Sequence, residues 1–92
     1  VLESARLALE QWGAGARASR LVSGDTSLCR ALETELAAWK KTPDALIFSS
    51  GFAANIGVLS ALADKNTAFF CHKRNHASLV DGCRLAAQMG AR

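Results

Sequence analysis

The short apolar run Ala45-Leu46-Ile47-Phe48 is followed at once by Ser49-Ser50-Gly51, and then by apolar residues at helical spacing, Phe52, Ile56, Leu59 and Ala63. An uninterrupted apolar run bounded by Pro43-Asp44 on one side and a serine-glycine turn on the other fits a strand buried on both faces. The pattern then repeats. Thr67-Ala68-Phe69-Phe70-Cys71 is a second buried-strand candidate, and Leu79, Val80 and Cys83 mark a helix running from about His76 to Met89-Gly90. Strands alternating with helices predict an α/β fold, with a mainly parallel sheet and flanking helices. Two short strands do not make a stable parallel sheet, so the pattern predicts an incomplete piece of a larger α/β domain.

Two more helices precede the first strand candidate. Leu2, Ala5, Leu9 and Trp12 form one stripe that stops at Gly13. Leu28, Leu32, Leu36 and Trp39 form another, with Glu33 and Glu35 off it, an N-cap at Asp25 or Thr26, and an end near Lys40-Lys41 ahead of Thr42-Pro43. Between them Gly13 to Gly24, rich in Gly, Ala and Ser, reads as an ordered loop anchored by Leu21-Val22.

Composition narrows the function classes. Half of the 92 residues are hydrophobic and 21% are charged, which argues against disorder. The net charge of +3 is spread over scattered Lys and Arg, with no basic stripe of the kind that tracks nucleic acid. No apolar run reaches the length of a membrane span, and no signal-peptide pattern opens the chain. The start at Val1 predicts a native N-terminus further upstream. Three cysteines, Cys29, Cys71 and Cys83, are an odd number at irregular spacing, which favours a reducing, cytoplasmic setting over a disulfide framework. Cys29 and Cys83 fall on apolar helix stripes and read as small core residues. Cys71, His72, His76 and Cys83 match no compact zinc spacing, so no metal site is expected.

Two segments carry candidate chemistry. Phe48-Ser49-Ser50-Gly51-Phe52-Ala53-Ala54-Asn55 sits where a strand candidate ends and a helix begins. Unpaired amides and the helix dipole favour an anion there, Gly51 lets a phosphate approach the main chain, and the serines add hydroxyl donors. The plainer alternative is a strand-to-helix turn with a serine cap. Asn75-His76-Ala77-Ser78 follows the second strand candidate. Ligands of parallel sheets bind beyond the carboxyl ends of the strands, so His76 is expected to face the same crevice as Gly51, as an acid, a base or a flat ring stacking on another ring. Here the alternative is a surface histidine capping a helix.

Ser19-Arg20-Leu21-Val22-Ser23-Gly24, Leu32-Glu33-Thr34-Glu35-Leu36-Ala37, the Phe48–Asn55 segment and Asn75-His76-Ala77-Ser78-Leu79-Val80-Asp81-Gly82 occur in this order. Together they resemble the α-oxoamine synthases, a family of enzymes dependent on pyridoxal 5'-phosphate with the fold of type I aminotransferases. The likeness runs from about Trp12 to Arg84. It implies that residues 1–92 are the N-terminal part of the large domain of such an enzyme. It also implies that main-chain amides at Gly51 and Phe52 hold the cofactor phosphate, that Ser50 and Asn55 support the turn, and that His76 stacks on the cofactor ring as the catalytic and substrate-facing residue. Ser19 matches a position near the acyl-substrate pocket. The forms of the first and third segments are most like the branch that condenses L-alanine with a pimeloyl thioester, on CoA or acyl carrier protein, to 8-amino-7-oxononanoate in biotin biosynthesis. Aminolevulinate-, ketobutyrate- and sphingoid-forming branches remain alternatives, as does an inactive binding fragment.

Two departures from the family pattern stand out. Ala16-Arg17-Ala18 replaces part of a glycine-rich stretch, and an Arg there requires a permissive backbone angle. Cys71-His72-Lys73-Arg74 occupies a region where the family often carries an acid. The family also implies a homodimer, and a Schiff-base lysine and a pyridine-nitrogen acid far downstream of Ser78. None of Lys40, Lys41, Lys65 or Lys73 has the context of that lysine, so these residues alone are expected to be inactive.

Overall fold

The computed structural model describes all 92 residues, Val1–Arg92, and divides them into two compact units, Val1–Leu46 and Ile47–Arg92. The first unit holds helices α1 (Leu2–Trp12) and α2 (Ser27–Lys40), with a single π-helical turn, Arg20–Gly24, between them. The second holds α3 (Gly51–Leu62) and α4 (Ala77–Gln88), the only two helices packed on one another. No helix is long and apolar enough to cross a membrane.

Helix boundaries follow local chemistry. Thr26 caps α2, its Oγ1 accepting from the Cys29 amide at 3.3 Å. At the other end Lys41 takes a left-handed conformation (φ 56°), and the Thr42 amide reaches back to the Ala37 carbonyl at 3.0 Å, a Schellman closure ahead of Pro43. Helix α4 closes in the same way at Gly90 (φ 101°), where the Ala91 amide donates to the Ala86 carbonyl at 3.2 Å. The expected turn at residues 64–66 is present, with Asp64 Oδ1 accepting from the Asn66 amide at 2.7 Å.

The loop between α1 and α2 is held by charge. Arg20 places Nη1 2.5 Å from Glu33 Oε1 and Nη2 2.7 Å from Asp25 Oδ1, while Arg30 Nη2 binds Asp25 Oδ2 at 2.6 Å. The Ser19 carbonyl accepts from the amides of Val22, Ser23 and Gly24, the last at 2.9 Å. Arg17 adopts φ 64°, the permissive angle that its place in a glycine-rich pattern demands. Glu33, expected off the buried stripe, is only 4% exposed. Leu28, Leu32 and Trp39, expected on it, are exposed. The reason is electrostatic: the forked Arg20 guanidinium neutralises Glu33 and draws that face of α2 inward.

The sheet is the main departure from expectation. No β-strand forms among the 92 residues; Ala45–Phe48 and Thr67–Cys71 are irregular segments. A ladder needs a partner for every second amide, and neither segment has a neighbour running its length. A trace of parallel pairing does exist. The Arg92 amide donates to the Thr67 carbonyl at 2.9 Å, and the Phe69 amide donates to the Arg92 carbonyl at 2.7 Å. One residue bonded to two positions on either side of Ala68 is the unit of a parallel ladder. It joins the two ends of the segment that runs through α4.

The core is correspondingly thin. Its buried apolar residues are Ala37, Ala86 and Ala91. Cys29 and Cys83, expected in a core, are half-buried. In the second unit Gly82 is packed against α3: a Cβ there would lie 2.6 Å from Leu59 Cδ1 and 3.4 Å from the Asn55 carbonyl oxygen, so a side chain at this position requires the Leu59 methyl to move aside.

Candidate functional site

The site is built where α3 and α4 begin. Ser50 caps α3: its Oγ accepts from the Ala53 amide at 3.1 Å and its carbonyl from the Ala54 amide at 3.0 Å. The amides of Gly51 and Phe52, one step earlier, have no hydrogen-bond partner within the chain. They project from the positive end of a helix of 12 residues. A Cβ at Gly51 would meet nothing within 4 Å, so the space beside this main chain is open.

Asn55 lies one turn further along α3, on the same face as Gly51. Its Nδ2 donates to Ser78 Oγ at 2.8 Å, and Ser78 Oγ in turn lies 2.7 Å from His76 Nδ1. His76 is the N-cap of α4, with Nδ1 also accepting from the Ser78 amide at 3.2 Å. The plain capping role considered for this histidine is therefore real. It engages only Nδ1, and the exposed ring keeps its Nε2 edge free of bonds within the chain. Ser78 is 1% exposed, the most deeply buried polar side chain of the unit.

Thus Ser50, Gly51, Phe52, Asn55 and His76 belong to one unit, and Asn55 and His76 are joined through a single serine. Ser19 belongs to the other unit, where its carbonyl organises the π-helical turn. An open cavity of about 320 Å³ in that first unit is lined by Arg30, Glu33, Asp44, Ala45 and Leu46 and contains none of the expected site residues. Sequence reasoning assigned no role to Ser78, although a serine two residues after a histidine at a helix start is the spacing that permits this bond. It also did not foresee the Cys71–Cys83 pair, whose sulfurs lie 2.8 Å apart; the hydrogen bond with Cys71 pushes the Cys83 thiol pKa up. His72 Nδ1 accepts from the Arg74 amide within a turn and takes no part in the site.

The chain is similar to known proteins. The family model for aminotransferase class I and II matches residues 1–88. The chain belongs to that family, and within it to the α-oxoamine synthases. It is 51% identical over 79 residues to the 8-amino-7-oxononanoate synthase of Geobacter sulfurreducens, covering 86% of this chain and 20% of that protein. It is 46% identical over 86 residues to the enzyme of that name from Pelobacter propionicus, covering 94% and 22%. Among solved structures it resembles a serine palmitoyltransferase from S. paucimobilis with bound PLP–myriocin, with a TM-score of 0.84 at 34% identity over 90% of this chain and 21% of that one. It also resembles the 8-amino-7-oxononanoate synthase of Francisella tularensis, with a TM-score of 0.75 at 31% identity over 98% and 24%. The chain thus spans about a fifth of the length of the curated relatives it matches. The relatives are enzymes of fold type I, and the part of them that this chain matches is helical here.

Proposed function

We propose that these residues form the N-terminal, cofactor-holding part of the major domain of a pyridoxal-phosphate-dependent C-acyltransferase. The reaction is the condensation of L-alanine with a pimeloyl thioester to 8-amino-7-oxononanoate, with release of carbon dioxide and the free thiol. The observation that carries this reading is the pairing of two unpartnered amides, Gly51 and Phe52, with a histidine tethered to the same helix through Asn55 and Ser78.

The residues present fit the cofactor. Open space beside Gly51 admits a phosphate, and a helix N-terminus carries the charge to hold it. Pyridoxal phosphate, when bound, supplies the electron sink for loss of the α-proton. The main-chain amides of Gly51 and Phe52 would hold its phosphate group. Ser50 holds the turn that aims them, and Asn55 fixes the histidine loop. His76 would offer a flat ring face to the cofactor and its Nε2 edge to a substrate carboxylate. Ser19 contributes on the acyl side. The lysine and acid that complete the chemistry lie in other parts of a longer, cytoplasmic, homodimeric protein.

The test is product formation. The protein of the full reading frame, given PLP, L-alanine and pimeloyl-CoA, is expected to form 8-amino-7-oxononanoate and free CoA in equal amounts, whereas residues 1–92 alone form none. Robust product from residues 1–92 alone would sink the view that they need the rest of the domain. A second reading, a serine palmitoyltransferase-type activity, is favoured by the higher TM-score of that structure, 0.84 against 0.75. Turnover with serine and palmitoyl-CoA, and none with alanine, would select it.

A further inference from the structure

We propose that Ser78 and Asn55 are positioning residues that lock His76 in the neutral tautomer with its proton on Nε2, so that the ring offers a hydrogen-bond donor on its free edge. The argument follows from which atoms can only give. A main-chain N–H is solely a donor, and the Ser78 amide points at His76 Nδ1 from 3.2 Å. Nδ1 therefore carries a lone pair. An amide nitrogen of asparagine is likewise solely a donor, and Asn55 Nδ2 gives to Ser78 Oγ at 2.8 Å. With an acceptor position of Oγ filled, the hydroxyl proton is directed at the remaining neighbour, His76 Nδ1, at 2.7 Å. Both bonds at Nδ1 are donated to it. In a neutral imidazole the proton then sits on Nε2.

Burial makes the relay selective. At 1% exposure Ser78 has no room for a water that could reverse the direction of its hydroxyl. Asn55 is anchored in α3 beside the Leu59–Gly82 contact, so the relay is set by helix packing and not by the exposed loop before His76. The chemical consequence is a class preference. A ring that can only donate from its free edge favours an anionic or carbonyl oxygen and disfavours a ligand cation. The meaning of that preference for catalysis rests on the proposed function; the tautomer does not.

The experiment is nitrogen-15 NMR of the histidine-labelled full chain at a pH where the rings are neutral, with His72→Gln used to assign His76. The expected spectrum has Nδ1 at the position of an unprotonated ring nitrogen and Nε2 at that of a protonated one. In Ser78→Ala the ratio of Nε2–H to Nδ1–H is expected to fall by about fivefold, the weight of one ordinary hydrogen bond. Asn55→Asp, which turns the Ser78 hydroxyl away from the ring, is expected to move the ratio the same way. A wild-type spectrum with the proton on Nδ1, or an unchanged ratio in both variants, overturns the proposal. If Ser78→Ala does not fold, the wild-type spectrum and Asn55→Asp still decide it. PLP binding, followed separately by fluorescence on the full-length protein, reports on the functional reading: no binding beside a locked Nε2–H ring removes that reading and leaves the tautomer standing.

Discussion

Gly24 shows how much one missing side chain can decide. It is buried at the end of the π-helical turn, and a Cβ built there would lie 1.9 Å from the Ala18 carbonyl oxygen. Backbone on both sides of the contact leaves nothing flexible to yield. Gly24→Ala is expected to destabilise the first unit by about 1–3 kcal/mol, the usual range for overpacking, read as a lower urea midpoint; an unchanged midpoint would refute the close approach. Arg17 illustrates the reverse case, where a residue with a side chain holds φ 64° and the loop carries the strain. The demand at Arg17 was legible in the sequence, because a glycine-rich pattern interrupted by arginine announces an unusual angle. The demand at Gly24 was not, since the Ser19–Gly24 motif says nothing of where the Ala18 carbonyl will lie.

At the scale of elements, all four helices were readable from apolar spacing and punctuation, down to the stop at Gly13 and a cap narrowed to Asp25 or Thr26, of which Thr26 is the one used. What spacing misjudged was which face of α2 turns inward. Glu33 is buried because Arg20, 13 residues earlier, reaches it, and pairing across a loop leaves no periodic trace. That clamp has a pH signature. Hydrogen bonding from Arg20, with help from Arg30, holds the Asp25 carboxyl below its ordinary pKa. A carboxylate depressed in the folded state adds stability above its unfolded pKa and loses it as pH falls through the folded value. The stability difference between the wild type and Asp25→Asn is therefore expected to be constant near neutrality and to shrink below about pH 4. Thermal melts along an acid series measure it, and a difference that persists undiminished at the lowest pH would rule the clamp out.

For the molecule as a whole, the expected strands are the lesson. Ala45–Phe48 and Thr67–Cys71 have the composition of buried strands, yet composition cannot supply the neighbours that a ladder requires. At Ala68 and Arg92 parallel pairing begins. Ser50, Gly51 and His76 were easier to place on elements, since they sit at helix starts, which are local. The same shortage of neighbours leaves large apolar side chains such as Leu21, Trp39, Leu46 and Phe70 exposed, Phe70 to 98%. Apolar surface on this scale drives association. The 92-residue chain is accordingly expected to sediment above its 9.7 kDa monomer mass at micromolar concentration and to return toward it in mild urea; a monomer at every concentration would contradict this.

The Asn55–Ser78 bond joins residues only 23 apart, one on each of the two packed helices. Closing so short a span has a small entropic barrier, and helices supply their own contacts while the ends search for one another. The histidine's tether therefore belongs among the earliest tertiary links to form as the polypeptide leaves the ribosome, with the ligand-facing corner shaped before more distant pairings are attempted.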